Sequence, residues 1–164
     1  MRIGVVSDTH GHIANTAEAV RILGQQSVEA VLHCGDVCAA TLIPLFEEWP
    51  THFVFGNCDG TPGSIRVAIR EAGQTCHERF GDFELGGRRI GLIHGDDVLG
   101  LHDAVESGDY DLICYGHTHR PEQHLAGKTL VLNPGALFRA NPKTLAVVDL
   151  ETMTAEHLEL DGSF

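Results

Sequence analysis

The residues with the most chemical capacity lie just after apolar runs. Gly116-His117-Thr118-His119 follows Asp111-Leu112-Ile113-Cys114-Tyr115, and Asp8-Thr9-His10 follows residues 3–7. Each apolar run reads as a buried strand. Side chains at i and i+2 of an extended segment share a face, so His117 and His119 address one site together, a spacing suited to metal ligation. Open α/β sheets bind their ligands beyond the carboxyl ends of strands, which is where both runs fall. Between them come Asp36, Asn57 and His94, each at the end of another predicted strand and each beside a glycine. The resulting set of oxygen and nitrogen donors, with no thiolate, suits borderline or hard divalent ions such as Mn, Fe or Zn. The glycines allow the sharp turns that such loops require.

The elements that must hold these residues follow in order. Residues 2–7 read as a strand and 15–24 as a helix with Ala17, Val20 and Leu23 at helical spacing and Gly24 as its stop. Residues 28–33 form a second strand, and 41–49 a helix with Pro44 in its first turn and Pro50 as its end. Residues 52–55 form a third strand, so the alternation predicts parallel pairing through right-handed crossovers. After a short helix over 64–72, the pattern changes to hairpin-like strands over 74–78, 82–85 and 88–93, with Gly86-Gly87 as a turn. A helix over 99–107 precedes the strand at 111–115. Hairpins are expected at 123–125 with 129–132 and at 145–150 with 155–160. The expected fold is α/β: two mixed β-sheets stacked as a sandwich and flanked by helices, in one domain over residues 1–164.

Composition narrows the function. With 43% apolar and 21% charged residues, the chain has the profile of an ordinary globular protein. Its 11 basic and 23 acidic residues give a net charge of −12, which disfavours nucleic-acid polymers and anionic membranes. Five cysteines without a Cys-x-x-Cys pair fit reduced thiols in a cytoplasmic protein. No apolar run approaches a bilayer span. A homo-oligomer is compatible with all of this.

Taken together, Asp8-Thr9-His10, Gly35-Asp36, Gly56-Asn57-Cys58-Asp59, His94-Gly95 and Gly116-His117-Thr118-His119 resemble the ordered motifs of calcineurin-like metallophosphoesterases, especially their small phosphodiesterase branch. Asn133-Pro134-Gly135 resembles a further signature of that branch, followed here by Ala136 where serine is frequent. The resemblance implies a four-layer sandwich with two divalent ions (Mn, Fe, Ni or Zn, with Mn favoured). It assigns Asp8, His10, Asp36 and His119 to one ion and Asp36, Asn57, His94 and His117 to the other, with Asp36 bridging. The implied activity is hydrolysis of a small phosphodiester by a metal-bridging hydroxide, with no protein nucleophile. Two divalent ions outweigh the carboxylates of Asp8 and Asp36 plus one hydroxide, so such a centre stays electrophilic in an acidic protein. A phosphomonoesterase, or a non-catalytic scaffold like the retromer subunit of this fold, is the alternative. Scaffolds typically lose metal ligands, and here all are present.

Cys58 stands where the larger superfamily has a histidine thought to assist the leaving group. A thiol with an ordinary pKa of about 8.5 replaces it poorly, so the expectation is better activity on aryl or activated diesters. Asp59, without that histidine as partner, is expected to orient another group. Arg120, His12 and Arg139 are the candidate substrate contacts. His33, His52, His77, His102, His124 and His157 read as structural or solvated.

Overall fold

The structure is a computed structural model and describes residues 1–161. Strands β1 (Arg2–Val6), β2 (Ala30–His33), β3 (Thr51–Phe53) and β4 (Thr75–Cys76) run parallel in one sheet, extended by β10 (Thr144–Asp149) and β11 (Thr154–Glu159) in the order β11-β10-β1-β2-β3-β4. The second sheet has the order β5-β6-β7-β9-β8, built from β5 (Phe80–Leu85), β6 (Arg88–Ile93), β7 (Leu112–Cys114), β8 (Pro121–Ala126) and β9 (Thr129–Pro134). Its central strands β6, β7 and β9 are parallel, and hairpins close both edges. Both sheets are therefore mixed.

Strand alternation divides the core. Ile3 and Val5 point between the sheets, where they meet Leu32, Val54, Leu92, Leu112, Leu132 and Val148. Val6 and Val31 point outward against α1 (Ile13–Gln25), packing on Ala19, Ile22 and Leu23. On the far side, α3 (Val98–Ser107) covers Tyr110 and Ile113 through Ala104 and Leu101. The layers are helix, sheet, sheet, helix. A glycine at position 4 is what lets α1 sit this close to β1, because an added Cβ would lie 2.6 Å from Leu23 Cδ2.

Three local expectations change. The segment expected as a helix over 41–49 is a short 3-10 helix at Ala40–Phe46. Pro44 inside it has no N–H and its ring excludes the carbonyl four residues back, so i to i−3 bonds such as Leu42 N to Ala39 O (3.2 Å) and Glu47 N to Pro44 O (3.2 Å) take over. The first helix runs through Gly24 to Gln25, closed by the Gln26 amide bonding Leu23 O at 2.9 Å. Residues 75–76 do not join the β5–β6 hairpin; they pair parallel with β3 (His52 with Thr75, Phe53 with Cys76), after α2 (Gly63–Glu71) has made the crossover.

The parallel strands of both sheets end at one edge of the sandwich. The two sheets are tied there by the His117 amide, after β7, donating to Asp8 Oδ2, after β1, at 3.1 Å. All the chemistry-bearing loops open on this edge.

Candidate metal centre

Five candidate ligands occupy left-handed backbone: Asp8 (φ 54°), His10 (43°), Asp36 (54°), His117 (65°) and His119 (59°). Each such residue costs about 1–3 kcal/mol unless its surroundings enforce it. The enforcing bonds are visible: Asp8 N to Gly35 O (3.1 Å), His10 N to Asp36 O (2.9 Å) and Gly11 N to Val37 O (2.9 Å) lace the first loop to the second. His33 braces them from below. Its Nδ1 accepts the Gly35 amide at 3.2 Å, which leaves Nε2–H to donate to Thr9 Oγ1 at 3.1 Å.

The imidazoles are oriented in the same sense. His94 Nδ1 donates to Cys34 O at 2.8 Å and His119 Nδ1 to Arg139 O at 3.3 Å, so in each neutral ring Nε2 presents a lone pair to the centre. His10 Nδ1 lies 3.6 Å from Cys38 Sγ. The inward atoms crowd together: His119 Nε2 is 3.1 Å from Asp8 Oδ1, His10 Nε2 is 3.6 Å from Asp36 Oδ2, and His94 Nε2 is 3.3 Å from Asp36 Oδ2. Asn57 Oδ1 lies 3.2 Å from His94 Nε2.

Asp8 tests whether this donor set fits cations. Its Oδ2 accepts from Ser7 Oγ at 2.6 Å and from the His117 amide at 3.1 Å, while Oδ1 is buried and receives no hydrogen bond. A buried carboxylate oxygen left bare among imidazole lone pairs is costly, and a divalent ion is the partner that would satisfy it. Donor atoms of Asp8, His10 and His119 lie within 4.8 Å of one another, as do those of Asp8, Asp36 and His94. Burial opposes charge on both Asp36 and His94, yet their mutual hydrogen bond and attraction outweigh it, holding the Asp36 carboxyl well below its usual range and raising the His94 imidazole above its own.

His117 differs from the other candidates. Its ring packs edge-on against His94 at 5.2 Å, its amide holds Asp8, and its imidazole belongs to neither of those two clusters. The Asp59 carboxylate accepts only backbone amides among the described residues. Its Oδ2 accepts from Asp36 N (3.0 Å) and Gly56 N (2.7 Å), and its Oδ1 from Cys38 N (2.8 Å). Of the candidate substrate contacts, His12 caps α1 by accepting the Asn15 amide at 3.2 Å, and Arg139 lies over Phe138. Arg120 is exposed. Ser7 and Phe138 carried no signal in the sequence, being a strand-end serine and a loop aromatic like many others. Asn133, noted for its motif, donates to Gly116 O at 2.9 Å and Thr118 Oγ1 at 3.1 Å, fixing the histidine loop.

The fold and these loops define an α/β sandwich with a divalent-cation donor set at one edge. Residues 1–153 match the calcineurin-like phosphoesterase superfamily domain, and the chain belongs to that family. Phosphodiesterase MJ0936 of Methanocaldococcus jannaschii is 30% identical over 166 residues, covering 98% of this chain and 100% of that protein. A solved structure of an archaeal phosphodiesterase superposes with a TM-score of 0.90 at 30% identity, covering 98% of this chain and 100% of the other. Vacuolar protein sorting 29 of Cryptosporidium parvum shares the fold at a TM-score of 0.67 and 19% identity, over 96% of this chain and 95% of that one. No helix among the described residues is long and apolar enough to cross a membrane.

Proposed function

We propose that the protein is a binuclear-metal phosphodiesterase acting on a small phosphodiester, with residues 1–164 forming one domain. One observation carries the reading: the partnerless Asp8 Oδ1 faces the Nε2 atoms of His119, His10 and His94 at 3.1, 3.8 and 4.0 Å, on loops strained into that arrangement. The 30% identical archaeal relative is a phosphodiesterase, which supports the diester as substrate.

Asp8, His10, Asp36 and His119 would hold one cation and Asp36, Asn57, His94 and His117 the other, Asp36 being shared. Two such ions, Mn favoured, would lower the pKa of a water and neutralise phosphoryl oxygens during in-line displacement. The protein's own contribution is position and charge. Carbonyls of Cys34 and Arg139 fix the imidazole tautomers, and Asp59 fixes the backbone on which Asp36 and Asn57 sit. Asn57, a neutral amide, adds an oxygen donor without cancelling positive charge, which keeps the centre attractive to an anionic ester despite the chain's net charge of −12. A cytoplasmic setting belongs to this reading and is supported by five unpaired cysteines.

The test compares bis-p-nitrophenyl phosphate with p-nitrophenyl phosphate on protein loaded with Mn, Ni, Fe or Zn. Diester hydrolysis, abolished together with metal binding by Asp36→Ala, is the expected result. Strong preference for the monoester would replace the reading with a phosphomonoesterase, and inactivity on both esters with every metal would leave a scaffold.

A further inference from the structure

Phe138, His12 and Arg139 form a group at the rim of the centre that metal chemistry leaves unused. Phe138 is half-buried and absent from every hydrophobic cluster among the described residues, although its neighbour Leu137 is fully buried in one. Its ring lies instead 6.0 Å from that of His10. His12 stacks on it at 5.0 Å with planes 26° apart, and the Arg139 guanidinium carbon lies 5.3 Å from its centroid.

The two flanking groups have fixed chemistry. Because His12 Nδ1 accepts the Asn15 amide, the proton of its neutral ring is on Nε2, a donor held in one direction. Arg139 forms no ion pair among the described residues, although acidic groups outnumber basic ones by 23 to 11 in the chain. The loop itself is locked to the centre. Arg139 sits at φ 51°, and its carbonyl is the acceptor that orients His119.

A stack of imidazole, phenyl ring and guanidinium, carrying an N–H donor and a positive charge and fixed beside the proposed phosphate-attracting centre, matches a planar aromatic group joined to a phosphate that would lie against the stack. The ring stacks, and the donors meet its heteroatoms or the phosphate oxygens. We infer that Phe138, flanked by His12 and Arg139, is the specificity-determining subsite for a planar aromatic substituent of the phosphoester. This rests on the phosphoesterase reading above.

The experiment is calorimetric titration of Mn-loaded protein with phenylphosphonate and methylphosphonate, which do not turn over. Wild type is expected to bind the phenyl compound about tenfold more tightly than the methyl one, within the range of aromatic stacking. Phe138→Leu should remove that preference by weakening phenylphosphonate alone, and Phe138→Trp should retain it, with thermal melting confirming that both variants fold. Equal affinity of wild type for the two ligands, or a preference that survives Phe138→Leu, would overturn the subsite. So would equal weakening of both ligands by Phe138→Leu. If hydrolysis of bis-p-nitrophenyl phosphate persists in any of those cases, the subsite alone has failed. If neither ligand binds and no ester is hydrolysed, the phosphoesterase reading has failed and the subsite with it.

Discussion

The amide of Cys58 donates to Asp36 Oδ1 at 2.8 Å, so residue 58 gives its backbone to the centre and leaves its thiol at the rim. The Sγ lies 3.6 Å from Asn57 Nδ2 and within 4.8 Å of donor atoms of His10 and Asp36. Burial, followed by the hydrogen bond and charge of Asp36, raises the thiol above its ordinary pKa, which makes it a reluctant acid at neutral pH. Cys58→His keeps the amide and supplies an imidazole. Turnover of a diester with a poor leaving group should rise, general acid catalysis contributing roughly 10²–10⁴-fold when well placed, while an activated aryl diester changes far less. An unchanged ratio between the two esters would falsify a leaving-group role for this position.

Asp59 ties the Asp36 loop to the Asn57 loop through three amides, with its carboxylate buried. Removing it strands those donors, at about 1–3 kcal/mol for each that water cannot reach. Asp59→Ala should therefore lower the melting temperature and weaken divalent-ion binding by roughly 10–100-fold, as loss of a ligand-orienting partner does. Asp59→Asn, which keeps one acceptor oxygen, should fall between. Unaltered metal affinity in Asp59→Ala, measured by competition with a chelating dye, would remove the positioning role.

What the sequence shows of the fold follows from local pattern. Apolar runs and their glycine-bounded ends located the strands, and periodicity located α1, because burial imposes those patterns directly. The partner of residues 75–76 was not legible: a two-residue strand carries no direction of its own, and α2 before it is what makes it parallel to β3. Pro44 suits the first turn of the helix expected over 41–49, but at the fifth position of Ala40–Phe46 it removes the bond to residue 40, and i to i−3 bonds take over. In the site, residue types and order were visible, whereas the positive φ of Asp8, Asp36 and His119 was not, since nothing in an Asp or His announces it. The aromatic rim at Phe138 depends on where a loop returns in space, which spacing along the chain does not encode.

His33 gives a pH signature. Burial, and then the neighbouring charge of His94, lowers its pKa from 6.5 to about 3, so the folded protein keeps it neutral while the unfolded chain protonates it first. Below about 6.5 the unfolded state binds the extra proton, and stability falls with pH until about 3, at up to about 1.4 kcal/mol per pH unit. His33→Gln preserves an acceptor for Gly35 and a donor for Thr9. It should be less stable at pH 7 but show a flatter decline of the urea midpoint between pH 6 and 4. Parallel declines in the two proteins would show that another group governs acid unfolding.

Gly56 separates geometry from backbone freedom. Its φ of −99° is open to any residue, so alanine there incurs no conformational strain. Its added Cβ would nonetheless overlap Asp36 Oδ1, which the Cys58 amide holds, and approach Asp36 N, which Asp59 holds, at 2.8 Å. The carboxylate must swing, taking the shared ligand of the proposed centre with it. Gly56→Ala should accordingly lose divalent-ion affinity by at least about 10-fold, comparable to loss of an orienting contact, and lose diester hydrolysis in proportion. The secondary structure seen by circular dichroism should be retained. Gly60→Ala is the control: its Cβ meets open space but its φ is 54°, so it should lower stability modestly and leave metal affinity intact. If both alanines reduced metal binding equally, backbone strain in the loop rather than crowding of Asp36 would be the cause.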